Sequence, residues 1–374
     1  LWLIFFMQTI NSAWVDKAAF WNTRQEGTNI FNAHITHKDI QAAKAYGLSF
    51  IRLSPDKFLS DKDFLLGDTN NYKGLNPKDL QKLINVLDIC HQENMPVVIT
   101  FLSLPGSRWK QNNQGQDDLK LWEDEAYQKQ AALFWKDLAE VLKDHPAIVG
   151  YNLLNEPHPE RLFKPDSLHI HDVHQEIIQK KMYNFYDRLI KHIRQVDTKT
   201  PIILDSSAYA DPRTFQYLIP HNDKNILYSF HMYEPYAYTN YKMNKERLSY
   251  PGYIHKKLWN KDALYQHMKE VIAFQKKYAI PSHRIMVGEF GGHRLSRGLE
   301  QYFKDLISIF KQEGWHTAFY AFREDTWDGM DYELGTQKLP YAYWQALERG
   351  DQPSLHREYT PVFKVITENL KPLI

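Results

Sequence analysis

A single cysteine, Cys90, stands in 374 residues, so no intrachain disulfide can form and packing alone must hold the fold. An excess of charge of one sign is also missing. The chain has 46 basic and 45 acidic residues, a formal net charge of +1, and such a balance offers no field to attract nucleic acid or an anionic membrane. Long apolar runs are absent as well. The nearest approach, Leu1-Trp-Leu-Ile-Phe-Phe-Met7, is far shorter than the roughly 20 residues that span a bilayer. Polar residues follow it up to Ala13, a pattern similar to the apolar core and small-residue cleavage site of a signal peptide, here without a basic start. Residues 1–13 are therefore read as a signal remnant, with a buried N-terminal strand as the alternative. The expectation is a secreted or periplasmic mature chain, 14–374, beginning near Trp14.

Aromatic side chains, by contrast, are abundant at 14%, including 10 Trp and 23 Tyr, enough to fill a core and still line a surface that stacks flat, hydroxylated ligands. Apolar runs of strand length alternate with helical periodicity along the whole chain. Strands are expected at 27–32, 50–55, 96–102, 148–154, 201–205, 226–233, 285–289 and 317–322. Thr36 and Asn76-Pro77 mark helix starts, and Cys90 falls on the apolar face of the helix after Asn76, where it reads as inert packing. Further helices are expected over 173–196, 212–218, 262–278 and 299–312, with another carrying Tyr127, Ala131, Phe134, Leu138 and Leu142. Eight strands alternating with helices predict an α/β fold, a (β/α)8 TIM barrel in one domain. Links from helix to strand are short, whereas the links over 54–75, 103–122, 234–261 and 323–340 are long. Long loops therefore gather at the carboxyl ends of the strands, the face on which such barrels build active sites.

The run Ile148-Val-Gly-Tyr-Asn-Leu-Leu-Asn-Glu156-Pro157 delivers a carboxylate to that face, and Arg284-Ile-Met-Val-Gly-Glu289-Phe-Gly-Gly292 repeats the design. A carboxylate beside a core strand costs free energy unless it is paired, so one such Glu alone reads as a structural ion pair. Two at the ends of strands four and seven, on opposite walls of one mouth, suit glycoside hydrolysis. That chemistry needs one carboxyl protonated to release the leaving oxygen and one ionised to attack or to activate water. Arg52, Asn155, His231, Tyr233 and Arg323 stand at strand ends around them.

Asn155-Glu156-Pro157, the Gly288-Glu289-Phe290-Gly291 turn, His231-x-Tyr233 and Arg52 together resemble glycoside hydrolase family 5, cellulase-like retaining (β/α)8 enzymes, over residues 20–350. The resemblance implies Glu156 as acid/base and Glu289 as nucleophile. It also implies Asn155 on the sugar 2-hydroxyl, Arg52 and Tyr233 steering the nucleophile, and His231 near the acid/base. The implied activity is hydrolysis of a β-linked glucan, or of mannan or β-1,3-glucan, by a monomer needing neither cofactor nor metal. Two positions depart from the family pattern. Leu102 stands where strand three usually ends in His, with Ser103 and Arg108 as possible compensations, and Phe322 stands for the usual strand-eight Trp, with Trp327 nearby.

The loss at Leu102 motivates a competing reading, a carbohydrate-binding barrel without turnover. His169-x-His171-x-x-His174 has metal-like spacing but follows a polar loop, so exposed histidines are expected rather than a metal-dependent hydrolase. Asp325, Asp328 and Asp331 lack the glycine and closing Glu of a calcium loop and read as hydrogen-bonding residues. Trp109, Trp122, Trp259 and Trp327 fall in long loops and are read as sugar-stacking faces, with packing as the alternative.

Overall fold

The computed structural model describes residues 16–58, 63–163, 174–368 and 370; the segment read as a signal remnant, with His169 and His171, lies outside them. Eight parallel strands close a barrel in chain order: Glu26–Ile30, Ile51–Leu53, Val97–Thr100, Ile148–Asn152, Ile202–Asp205, Ile226–Met232, Ile285–Phe290 and His316–Phe319. The last pairs with the first through Glu26 and Thr317, which seals the sheet without an edge.

The period of two along each strand sorts the barrel interior into layers. Phe50, Val98, Val149, Ile203, Leu227, Met286 and Ala318 form an apolar floor, plugged by Trp21, whose indole N–H donates to the Val149 carbonyl at 2.9 Å. Two residues further along the same faces come Arg52, Thr100, Asp205 and Ser229, and His231 follows two beyond Ser229, all of them buried. The interior is thus dry at the bottom and polar at the carboxyl end.

Outward-facing apolar residues pack beneath the surrounding helices. Thr36 and Asp39 form a reciprocal capping box on His37–Ala45, and Asn76 caps Pro77–Gln92 through the amides of Lys78 and Asp79. Cys90 is fully buried in the second of these helices, and burial pushes its thiol up to about 12, which makes it unreactive. Helices Glu125–Leu142 and Gln175–Ile193 pack side by side behind the fourth and fifth strands.

Several elements differ from the sequence expectation. The helix expected over 262–278 is two, Lys261–His267 and Lys269–Tyr278, because the Met268 amide reaches Tyr265 and Gln266 in a tighter turn. His267 lies on the buried face with Ala263 and Leu264. The segment Pro212–Tyr217 is a 3-10 helix started by Asp211, whose carboxylate caps Arg213. The loop after strand six carries an unforeseen hairpin, Gly252–Ile254 with Lys257–Trp259. Strand eight ends at Phe319, three residues before the expected Phe322. Among the described residues no helix is long and apolar enough to cross a membrane.

Candidate active site

The two strand-end glutamates meet. One oxygen of the Glu156 carboxylate, one of the Glu289 carboxylate and a ring nitrogen of His231 all lie within 4.8 Å of one another. Glu289 is fixed from two sides, by Arg52 Nη1 donating to Oε1 at 2.8 Å and by the Tyr233 hydroxyl donating to Oε2 at 2.7 Å. Both donors stabilise negative charge on it. Burial, then the charge of Glu289 itself, holds the Tyr233 hydroxyl well above its ordinary range, so it stays a donor.

Glu156 is held differently. Its backbone is left-handed, φ 51°, a conformation that a non-glycine residue adopts at a cost and that persists only where neighbours enforce it. Here its amide donates to Asp205 Oδ2 at 3.1 Å, and His231 Nδ1 sits 2.8 Å from Oε1. Burial raises the Glu156 carboxyl above the usual range and the nearby Glu289 charge raises it further, while the His231 hydrogen bond pulls the other way. Burial alone would lower His231. The charges of Glu289 and Asp205 overcome it, and the ring is pushed up to about 10, a cation throughout the neutral range.

Asp205 escaped the sequence reading and belongs at the centre. Fully buried, it accepts from the Glu156 amide and from Asn152 at 3.1 Å, and lies 3.3 Å from His231 Nε2 and 3.5 Å from Arg52 Nη2. Burial would raise its carboxyl, but His231 and Arg52 drive it well below the ordinary range. Its signal was available: Pro201-Ile-Ile-Leu-Asp205 ends an apolar run on a carboxylate, as the Glu156 and Glu289 runs do. Asn29 and Asn152 complete the cage, each accepting from Arg52 at 2.9 Å, and Asn155 Oδ1 accepts from Nη2 at 2.8 Å.

Gly288 serves the site by its lack of a side chain. A Cβ there would stand 2.6 Å from Ser229 Oγ and 3.1 Å from His231 Nε2, so the residue before Glu289 keeps room for the histidine instead of forming the expected turn.

Other expected contacts are placed elsewhere. Phe322 is 2% exposed, packed on Tyr46 and Phe363 with the Arg323 guanidinium over its face, and it offers a sugar no surface. Because strand eight ends early, the aromatic at this wall is Tyr320. It is half-buried, donates to Glu324 at 2.6 Å, and feels the charges of Glu289 and Glu156. Arg323 leaves the mouth to pair with Glu333 at 2.7 Å. Arg108 pairs with Asp63 at 2.9 Å and Ser103 Oγ accepts from the Trp109 amide, so both stabilise the loop around Leu102 and neither replaces a histidine. Trp122 is core against Phe185, and Trp259 is buried under the hairpin. Trp109 is half-buried, and Trp327, 45% exposed, tilts against His293 with a free face. The three loop aspartates go to separate partners: Asp325 to the Ala33 amide, Asp328 to Arg294 and Asp331 to Arg357.

A pair of close carboxylates at the carboxyl mouth of a (β/α)8 barrel, one gripped by a guanidinium and a phenol and one pushed toward protonation, is glycosidase geometry. Comparison with known proteins agrees: a family model for cellulase, glycosyl hydrolase family 5, matches residues 11–326, and the chain belongs to that family of glycoside hydrolases. A β-xylosidase of Phanerodontia chrysosporium is 24% identical over 365 residues, 90% of this chain and 68% of that protein. Endoglucanase C of Acetivibrio thermocellus is 24% identical over 334 residues, 81% and 87% of the two chains. The crystal structure of endoglucanase Cel5A from Thermotoga maritima shares the fold, with a TM-score of 0.63 at 18% identity over 85% of this chain and 94% of that one.

His231 as a cation lowers the proton affinity of Glu156. Replacing it with Asn keeps a donor and removes the charge, so the basic limb of the pH profile of kcat/KM should move up by about 1 pH unit or more. With Glu156 as the expected acid, that limb marks the loss of its proton. A limb that stays put or moves down would show that His231 carries no charge there.

Proposed function

We propose that this chain is a retaining β-glycosidase that cleaves β-linked glucan, with Glu289 as nucleophile and Glu156 as acid/base. The observation that carries the reading is that one oxygen of each carboxylate lies within 4.8 Å of the other. Retaining enzymes hold their carboxyl groups about 5–5.5 Å apart and inverting ones about 6.5–9.5 Å, and so close an approach favours the former. The group that attacks the anomeric carbon is then Glu289 itself. Arg52 and Tyr233 aim it, and Glu156, raised by burial, gives its proton to the leaving oxygen. Asn155 spends its carbonyl on Arg52, which leaves its NH2 to donate to the sugar 2-hydroxyl. In the second half Glu156, now a base, draws the proton from the water that frees the sugar.

Endoglucanases and a β-xylosidase among the relatives support a β-linked glycan as the substrate class, and within it β-1,4-glucan is the reading preferred, with mannan and β-1,3-glucan as the neighbouring choices. Trp327, 45% exposed, offers a stacking face. A barrel that binds sugar without turnover would not need the aimed pair of glutamates. Such an enzyme meets a polymer outside the cytoplasm, as a monomer, which accords with residues 1–13 serving as an export signal.

Among cellulose oligomers, mannan, xylan and β-1,3-glucan, the β-1,4-glucan should be hydrolysed fastest. The first sugar released from it should be the β-anomer by NMR, and a 2-fluoro glycosyl inactivator should label Glu289. First appearance of the α-anomer, or label on another residue, overturns the double displacement.

Glu156→Ala should slow natural glycans about 10²-fold or more while sparing the first step on aryl glycosides with good leaving groups, which need little protonation. Equal losses on both substrates in single-turnover measurements would remove Glu156 from the acid role.

For export, N-terminal sequencing of protein secreted by the native host should start near Trp14. A mature chain that keeps residues 1–13 would refute the signal.

A further inference from the structure

A second convergence of ligating groups lies apart from the glutamate pair. Asp211 follows strand five and starts the Pro212–Tyr217 turn, Glu234 lies two residues beyond strand six, and His267 ends the helix Lys261–His267. One donor atom from each lies within 4.8 Å of the others, and Asp211 Oδ1 is 3.9 Å from His267 Nε2. His267 is only 8% exposed, and its Nε2 has no hydrogen-bond partner. A buried ring nitrogen turned toward two carboxylates and left unpaired is an arrangement that proteins otherwise avoid.

We propose that Asp211, Glu234 and His267 form a binding site for one divalent transition-metal ion of the zinc or manganese class. The donor set is one imidazole nitrogen and two carboxylate oxygens. It suits a borderline cation better than calcium, which takes six to eight oxygens, or copper(I), which prefers sulfur. A tetrahedral ion at about 2.0–2.1 Å from its ligands spaces them about 3.3–3.4 Å apart, so the 3.9 Å gap must close by about half an ångström. Water can supply the remaining position.

Arg213 donates to Asp211 Oδ1 through its amide at 2.8 Å and Nε at 3.0 Å, and to Oδ2 through Nη2 at 2.7 Å. Its side chain is 40% exposed, and the ion would take Oδ1 by displacing the Nε contact. Glu234 Oε2 accepts only the Tyr236 amide, at 2.9 Å. The other nearby cation, Lys257, lies over the Trp259 ring at 4.2 Å. Two carboxylates thus face one guanidinium in direct contact and one ammonium at longer range.

Occupancy would tie together the loops after strands five and six and the helix behind them. Glu234 directly follows Tyr233, whose hydroxyl holds Glu289, so the ion would stiffen one wall of the active site without touching substrate.

The test uses untagged protein stripped with a chelator and dialysed, titrated with Zn²⁺ by calorimetry and with Co²⁺ by visible absorption. One equivalent should bind outside the catalytic pair, with a rise in the thermal midpoint and d–d bands of a low-symmetry nitrogen and oxygen site. His267→Gln and, independently, Glu234→Gln should each weaken Zn²⁺ at least about tenfold and abolish those bands, while Glu289→Gln keeps them. Unchanged affinity in folded His267→Gln or Glu234→Gln protein, no binding by millimolar Zn²⁺, or loss of the bands in Glu289→Gln would each overturn the assignment. The last result would place the ion on the glutamate pair.

Discussion

A guanidinium with no access to water orders the mouth of this barrel. Arg52 comes from strand two and reaches Asn29 on strand one, Asn152 and Asn155 on and after strand four, Asp205 on strand five and Glu289 on strand seven. Its donors form a rigid planar fork, so satisfying them fixes the relative positions of those strand ends. A lysine, a point charge on a flexible stem, could not do this. Taking such a cation from water is expensive, and the expense is met only if every partner is present with good geometry. The three asparagines therefore act through Arg52, and their combined effect is to place Glu289.

Net charge constrains the same cluster. Arg52 and His231 are the buried cations, and Asp205, Glu289 and Glu156 are the carboxylates that touch them. Three negative charges against two positive would leave a low-dielectric pocket with an uncompensated anion. The least costly remedy is one bound proton. Asp205, fully buried, is drawn down by both cations, and Glu289 accepts a donor on each oxygen. Glu156 is the one whose carboxyl is raised, and its side chain, at 17%, is the most exposed of the three. In the proposed mechanism the environment that favours its proton also leaves it open to a leaving group.

The order of the elements was legible because barrel strands here are short apolar runs bounded by caps and turns, which periodicity detects. Glu156, Glu289, Arg52, Asn155, His231 and Tyr233 could be picked out because each interrupts an apolar pattern at a strand end. The misreadings have a common cause: strand termini are set by closure of the sheet, which no local pattern reports. With strand eight ending at Phe319, Tyr320 takes the wall expected of Phe322, while Phe322 and Arg323 turn to the helices behind. Trp122 and Trp259 were misplaced for a similar reason, since loops of 20 residues can fold back and bury a ring. Asp205 was readable and was passed over. The inward face of His267 was readable as well, since it falls three and four residues after Leu264 and Ala263.

The charge count also bears on why these two glutamates can work as a pair. In the proposed double displacement, attack by Glu289 on the anomeric carbon makes an ester and removes its negative charge. In the same step Glu156 gives up its proton and becomes negative. The cluster around Arg52 and His231 is therefore neutral before and after the step, and no charge has to enter or leave a pocket that water reaches poorly. The groups that stabilise the product side are already oriented: His231 Nδ1 lies 2.8 Å from Glu156 Oε1 and 3.5 Å from Glu289 Oε2, between the two places where the charge resides. Such preorganisation costs no rearrangement at the moment of reaction. Asp205 takes no part in bond making, yet it keeps His231 charged and fixes the Glu156 backbone. On this argument the strand-five carboxylate is what makes a single histidine able to serve both glutamates in turn.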